Sequence, residues 1–180
     1  MNLKQAVVGI LTAGSVIGTA MLLPAAAYAQ DITGKITTAI GALKAKAEKL
    51  GPAKLEGTEK VGDKDVPAIY FGSAKQNNNF ALVDEVKKES GVDGITVTIF
   101  VKSGSEYVRV ATNVPKADGP GGRAIGTILD PNGKAIVAIN KGETFKGEVD
   151  ILGKPYTTEY TPITDAAKNV IGIYYVGVPK

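Results

Sequence analysis

Alternating apolar and polar residues in the middle of the chain predict a β-hairpin. Apolar, β-branched residues occupy every second position at Ile95, Val97, Ile99 and Val101. This period of two is typical of a strand, and residues 102–105 (Lys-Ser-Gly-Ser) have the composition of a tight turn. The alternation resumes over residues 107–114, which predicts a second strand. One of its faces is predicted to carry Val108, Val110 and Val114, and the other Tyr107, Arg109, Ala111 and Asn113.

A different period predicts a long helix before this hairpin, over residues 31–50. Its apolar residues follow one another at intervals of three or four: Ile32, Ile36, Ile40, Leu43, Ala47 and Leu50. Such spacing places them in a single stripe on one side of a helix. Lysines near the end of the segment suit the negative end of the helix dipole, and Gly51-Pro52 ends it.

The remaining segments complete an α+β pattern. Residues 53–67 are rich in lysine, glutamate and glycine and are predicted to be a loop, followed by a short strand at 68–72. A second helix is predicted over residues 80–90, with Asn78 or Asn79 as its N-cap and Gly91 at its end. Residues 134–140 fit either a helix or a strand.

Three more strands are predicted at 145–152, 154–163 and 169–178. The second of these places Tyr156, Thr158 and Tyr160 on one face, and the third is almost entirely apolar, which suits the centre of a sheet. The predicted fold is therefore α+β: a PAS-like antiparallel sheet of about five strands with a long N-terminal helix packed on it. Residues 30–180 are predicted to form one domain.

The first 29 residues have the organisation of a signal peptide. Lys4 precedes an uncharged apolar stretch over residues 6–23, Pro24 follows, and residues 27–29 (Ala-Tyr-Ala) fit the small-x-small cleavage pattern. Cleavage there would leave Gln30 as the first residue of a periplasmic or secreted protein. The alternative is an uncleaved membrane anchor, because the apolar stretch approaches the length that spans a bilayer.

Composition removes several kinds of chemistry. The chain has no cysteine and no histidine, so it lacks a thiolate and the commonest general base and transition-metal ligand. A net charge of +3 with scattered lysines does not favour nucleic-acid binding. No cofactor and no metal are predicted. Only two of the 21 basic residues are arginines, Arg109 and Arg123.

Two motifs that suggest catalytic or nucleotide chemistry are incomplete. Residues 119–124 (Gly-Pro-Gly-Gly-Arg-Ala) match the dinucleotide fingerprint formally, but that motif needs a helix behind it and Pro131 leaves little room for one. Asp130 and Asn132 have the first spacing of a calcium loop, but Lys134 and Lys141 occupy later ligand positions. The remaining carboxylates, among them Glu148, Asp150 and Glu159, are isolated on predicted strands. We therefore do not predict an enzyme.

Several motifs in a fixed order resemble the Cache domain family, and the closest resemblance is to the fused Cache 3/Cache 2 type. They are Thr98-Ile-Phe, Arg109-Val-Ala-Thr-Asn-Val, Arg123-Ala-Ile-Gly-Thr, Lys141-Gly-Glu-Thr-Phe-Lys-Gly, Tyr160-Thr-Pro-Ile-Thr-Asp and Val170-Ile-Gly-Ile-Tyr-Tyr-Val-Gly. The resemblance covers roughly residues 70–179. It implies a sensory domain like those in the extracytoplasmic part of bacterial chemoreceptors and sensor kinases. Because no second apolar run of membrane length follows, signalling is expected to pass through a partner such as a membrane receptor or kinase.

The resemblance also implies a ligand site. It places two arginines and several tyrosines on or beside the strands that line the Cache pocket. The candidate ligand-binding residues are Arg109, Tyr107, Asn113, Arg123, Tyr156, Tyr160 and Asp165. A guanidinium offers paired donors to a carboxylate, so a carboxylate or amino-acid ligand is expected. A structural role remains open for both arginines, and a structural or assembly module of the bacterial envelope is the alternative function.

The resemblance further bears on association. Cache domains open with a long helix that packs on the sheet and often pairs between subunits. A homodimer through residues 31–50 is therefore expected, while burial of the apolar stripe on its own sheet alone remains the alternative.

Overall fold

The computed structural model describes residues 25–116 and 121–180 and consists of three helices and eight strands within them. The helices are α1 (Ala25–Leu50), α2 (Ala81–Ser90) and α3 (Lys134–Asn140). The strands are β1 (Ala53–Val61), β2 (Lys64–Phe71), β3 (Ala74–Lys75), β4 (Thr96–Ser103), β5 (Glu106–Thr112), β6 (Phe145–Ile151), β7 (Lys154–Thr164) and β8 (Val170–Pro179). Residues 1–24 of the predicted signal peptide (residues 1–29) lie outside the described residues. Helix α1 begins at Ala25, within the last five residues of that segment. Within the described ranges, no helix is long and apolar enough to cross a membrane.

A five-stranded antiparallel sheet in the order β5-β4-β8-β7-β6 forms the centre of the domain. The almost continuously apolar strand β8 occupies the middle of the sheet, as its sequence predicts, because both of its faces are covered. With α1 packed against β7 and β8, this arrangement confirms the predicted α+β, PAS-like fold.

The apolar stripe of α1 is buried within the chain. Ile36, Ile40, Leu43 and Ala47 belong to one hydrophobic cluster with residues of the sheet and of α2. Leu50, the last member of the predicted stripe, is instead exposed. The stripe is therefore covered by the domain's own sheet, which was the alternative to pairing of the stripe between two subunits. A homodimer through the helix remains a prediction, and it would have to use a different face of α1.

A second, three-stranded sheet corrects the prediction of a loop at residues 53–67. This sheet has the order β1-β2-β3, and β1 pairs with β2 along most of its length. Five consecutive residues of β1, beginning at Lys54, are exposed. Over these exposed residues backbone hydrogen bonds to β2, rather than buried apolar side chains, hold the strand in place, and Val61 at its end is buried in the core. The sequence therefore carries no hydrophobic alternation that would reveal it.

A β-bulge in the predicted hairpin changes which residues share a face. Ile99 pairs with Ala111, whereas Phe100 pairs with Arg109, so Val110 is the extra residue of β5. Beyond the bulge the alternation is reversed relative to the prediction. Ala111 lies in the cluster with Val108 and Val110, and Val114 lies in the cluster with Tyr107 on the other side of the sheet.

The two shorter helices agree with the sequence patterns in most details. Phe80 is the N-cap residue of α2 and provides no side-chain cap, but the Asn79 carboxamide oxygen accepts a hydrogen bond from the Ala81 N–H at 3.1 Å. Gly91 ends α2 in the left-handed conformation, φ 60°. Residues 134–140, which fit either a helix or a strand, form the helix α3.

Candidate functional site

A cavity of about 440 Å³ lies on the face of the central sheet opposite to α1's stripe. Its floor includes Arg109 of β5 and Tyr160 of β7. The segment 128–133 and the first residues of α3 form one wall, and the second half of β6 forms the other. This volume is within the usual range for small-molecule sites in proteins.

The segment 126–128, which follows the glycine turn, fixes the position of Arg109. This segment runs along the free edge of β5, where the Arg109 N–H donates to the Thr127 carbonyl at 2.9 Å and the Gly126 N–H donates to the Arg109 carbonyl at 3.0 Å. The Arg109 Nη1 donates to the Thr127 hydroxyl oxygen at 2.6 Å. Its guanidinium also stacks on the ring of Phe100, 5.0 Å from the centroid.

The Arg109 guanidinium is buried and has no anionic partner among the described residues. The residue is only 4% exposed, and within the described part of the chain no carboxylate lies within ion-pairing distance of it, while its Nε has no hydrogen-bond acceptor. Burial lowers the pKa of this guanidinium from its ordinary value. A buried, unpaired cation is costly, and here it borders an empty space large enough for a ligand.

The three candidate tyrosines lie on the same side of the sheet as Arg109, but of these only Tyr160 lines the cavity. Tyr107, Tyr156 and Tyr160 belong to one buried cluster, but their roles differ. Tyr160 lines the cavity, burial raises the pKa of its hydroxyl, and this hydroxyl has no hydrogen-bond partner among the described residues. The Tyr107 hydroxyl donates to the Asn140 side chain at 3.0 Å and so helps to hold the end of α3.

The structure does not bring Asn113 and Arg123 to this cavity. Because of the bulge, Asn113 points to the opposite face, where it accepts from the Val97 N–H and donates to the Val83 carbonyl. Arg123 forms two parallel hydrogen bonds to Asp84, both at 2.8 Å, and stacks on Phe80. This geometry holds α2 against the turn, which favours the structural interpretation of Arg123.

Asp165 also lies away from Arg109, in the turn between β7 and β8. Both of its carboxylate oxygens accept hydrogen bonds from Asn169, and these bonds lower the pKa of its carboxyl group. The residue lines a different cavity of about 340 Å³ near the end of α1. Its carboxylate is therefore a turn-forming group, separate from the site around Arg109.

Two side chains that contact Arg109, Phe100 and Thr127, were not predicted as site residues. Phe100 could have been found, because a two-residue turn at Gly104-Ser105 fixes the hairpin register and sets Phe100 opposite Arg109. Thr127 could not have been found, because the edge pairing of its segment with β5 has no local sequence signal. The cavity is also lined by four charged residues that were not predicted as ligand-site residues: Asp130, Lys134, Glu148 and Asp150.

The glycine turn does not form a dinucleotide site. Residues 117–120 lie outside the described residues, and the chain after Gly121 continues without a helix until α3 begins at Lys134. The phosphate-binding fingerprint requires a helix N-terminus directly behind its glycines. Ala124 instead packs in the cluster below the cavity.

A PAS-like antiparallel sheet with a long N-terminal helix and a cavity on one face is an architecture typical of small-molecule sensory domains. The family of the Cache 3/Cache 2 fusion domain matches residues 16–180, so the chain belongs to this family. Cache domains are sensory, non-catalytic and typically extracytoplasmic. Comparison with curated proteins gives no match.

Proposed function

We propose that this protein is an exported Cache domain that binds a small carboxylate-bearing metabolite, a simple carboxylate or an amino acid, in the Arg109 cavity. The observation that carries the proposal is the buried guanidinium at the floor of this cavity, which has no anionic partner within residues 25–116 and 121–180. A carboxylate would receive charge-assisted hydrogen bonds from it, and the free Tyr160 hydroxyl could donate a further one. Binding would thus offset the cost of burying the charge.

The connection between the cavity and α1 supports a sensory role. Tyr160 faces the cavity, while its neighbour Glu159 faces α1 and is itself buried. The Glu159 carboxylate accepts a hydrogen bond from the Thr37 hydroxyl of α1 at 2.8 Å and pairs with Lys146 at 3.1 Å. A shift of β7 on ligand binding would therefore act directly on α1, and a membrane receptor or kinase that contacts this helix would receive the signal.

A thermal-shift screen of the purified protein with small carboxylates tests ligand binding. A ligand at a hundredfold its Kd should stabilise the fold by about 2.7 kcal/mol. If no carboxylate or amino acid stabilises the protein, the result favours the alternative function, a structural module of the bacterial envelope that keeps the fold without the ligand.

Arg109→Lys separates recognition by the guanidinium from simple charge attraction. Lysine keeps the positive charge but loses the paired donors, so carboxylate binding should weaken by roughly 1–3 kcal/mol while the fold survives. Calorimetry with a ligand from the screen measures the loss. Arg123→Lys is the matched control and should leave affinity unchanged, because Arg123 binds Asp84 away from the cavity. Equal affinities for wild type and Arg109→Lys would contradict the assigned role of Arg109.

If the protein is exported, the position of its mature N-terminus can also be predicted. Residues 27–29 complete a signal-peptidase pattern, so the exported protein should begin at Gln30. The whole buried stripe of α1, from Ile36 onwards, would be retained. N-terminal sequencing of protein from the native host decides the question, and a full-length chain in the membrane fraction would show that the segment is an anchor.

A further inference from the structure

The lining of the Arg109 cavity distinguishes between two ligand classes that the proposed function leaves open. We infer, on the basis of that proposed function, that the ligand is a short monocarboxylate with an apolar body and without an amino group, rather than an amino acid. The carboxylates that line the cavity are exposed and already have hydrogen-bond or ion-pair partners.

An amino acid needs an anionic or accepting group for its ammonium, and among the described residues that line the cavity there is no free buried carboxylate. The three carboxylates that line it, Asp130, Glu148 and Asp150, are all exposed. Asp130 accepts from the Asn132 N–H at 2.9 Å, and Asp150 accepts from the Gly153 N–H at 2.8 Å. Glu148 pairs with Lys180 at 2.7 Å, with 64% of its side chain exposed. These groups stabilise turns and the surface at the rim.

Apart from Arg109 and Tyr160, the buried residues that line the described part of the cavity are apolar. Leu129, Ala135 and Ile151 are buried, and Val149 is half-buried beside them. If the ligand's carboxylate binds Arg109, a substituent on its α-carbon lies within a few ångströms of the guanidinium. An ammonium there would be repelled by the guanidinium and lose its hydration without a counter-charge, whereas a methyl group would be accommodated by the apolar wall.

The exposed charged residues at the rim of the cavity also disfavour a second carboxylate on the ligand. Among the described lining residues Lys134 is the other cation, and it is exposed; it shares the rim with Asp130 and Asp150, which form no ion pair there, while Glu148 is already paired with Lys180. A dicarboxylate held by Arg109 would direct its second charge toward this predominantly negative rim. Like charges at such distances repel one another, although solvent screens part of the effect. One carboxylate on an apolar body is therefore the best match.

Isothermal titration of the wild-type protein with isobutyrate and with L-alanine tests the inference. These two molecules have nearly the same shape and differ in that a methyl group replaces the ammonium. We expect isobutyrate to bind at least about tenfold more tightly, which corresponds to about 1.4 kcal/mol. Malonate, titrated in parallel with propionate as its monocarboxylate reference, should also bind more weakly than that reference.

The possible outcomes distinguish this inference from the proposed function. If L-alanine binds as tightly as isobutyrate or more tightly, and Arg109→Lys weakens that binding, the inference is wrong while the proposed carboxylate site stands. If neither compound binds and no other carboxylate does, both are wrong.

A designed variant adds a test that does not depend on the absolute affinities. Val149→Asp places a carboxylate on the apolar wall, and it should shift the affinity ratio toward L-alanine, whereas Val149→Asn provides the uncharged control. If Val149→Asp does not fold, the wild-type comparison alone decides. A folded Val149→Asp protein with an unchanged ratio would contradict the placement of the α-substituent against this wall.

Discussion

Leu43→Asp should unfold the domain. Leu43 is 0% exposed, at the centre of the α1 stripe that packs on the sheet and α2. The substitution removes a buried apolar side chain and introduces a carboxyl group without a partner, so we expect a loss of about 4 kcal/mol or more in the free energy of unfolding. Urea denaturation followed by circular dichroism measures this loss, which is a large part of the stability of an ordinary domain.

Ala45→Asp is the matched control for this experiment. Ala45 lies two residues further along the same helix and is exposed, so the same new charge should change stability by less than about 1 kcal/mol. The comparison also tests the two alternatives for the stripe. If the stripe were shared between subunits, Leu43→Asp would give a folded monomer. Light scattering that shows such a monomer with native circular dichroism would contradict the packing of α1 described above.

Arg109→Met should abolish carboxylate binding and leave the fold equally stable or more stable. Methionine removes the donors, so affinity should fall by about 2–5 kcal/mol. It also replaces a buried cation that has no anionic partner among the described residues. Even a buried ion pair can often be replaced by apolar side chains without loss, or with a gain of about 1–4 kcal/mol, and an unpaired cation has no such attraction to lose. Thermal unfolding without ligand and calorimetry with ligand measure the two effects.

For Arg123→Met we expect the opposite result, namely lower stability with unchanged ligand affinity. This variant loses the two hydrogen bonds to Asp84 and the stacking on Phe80, so its stability should fall modestly, since the ion pair is partly exposed. Its ligand affinity should remain at the wild-type value. A strongly destabilised Arg109→Met protein would show that Arg109 is a structural residue, which is the alternative that its sequence position left open.

The sequence alone was sufficient for the elements with a strong hydrophobic period. The stripe of α1, the alternation in the hairpin and the apolar run of β8 each report which side of an element is buried. From these patterns the fold class follows, because an amphipathic helix and half-buried strands have few ways to cover their apolar faces. The choice of Arg109 and Tyr160 as residues of one site also came from the sequence, through the resemblance of its motifs to the Cache family.

Tertiary structure decided everything that depends on contacts between distant segments. The bulge at Val110 turned Asn113 away from Arg109, and the bonds to Asp84 gave Arg123 a structural environment. Most of the strand β1 is exposed, with Val61 its one fully buried residue, so its pairing with β2 defines it. The cavity itself combines β5 and β7, whose residues Arg109 and Tyr160 are far apart in the chain. A local hydrophobic pattern indicates which side chains are buried. Strand register and ion pairing depend on contacts between segments that are distant in the chain, so only the tertiary structure determines them.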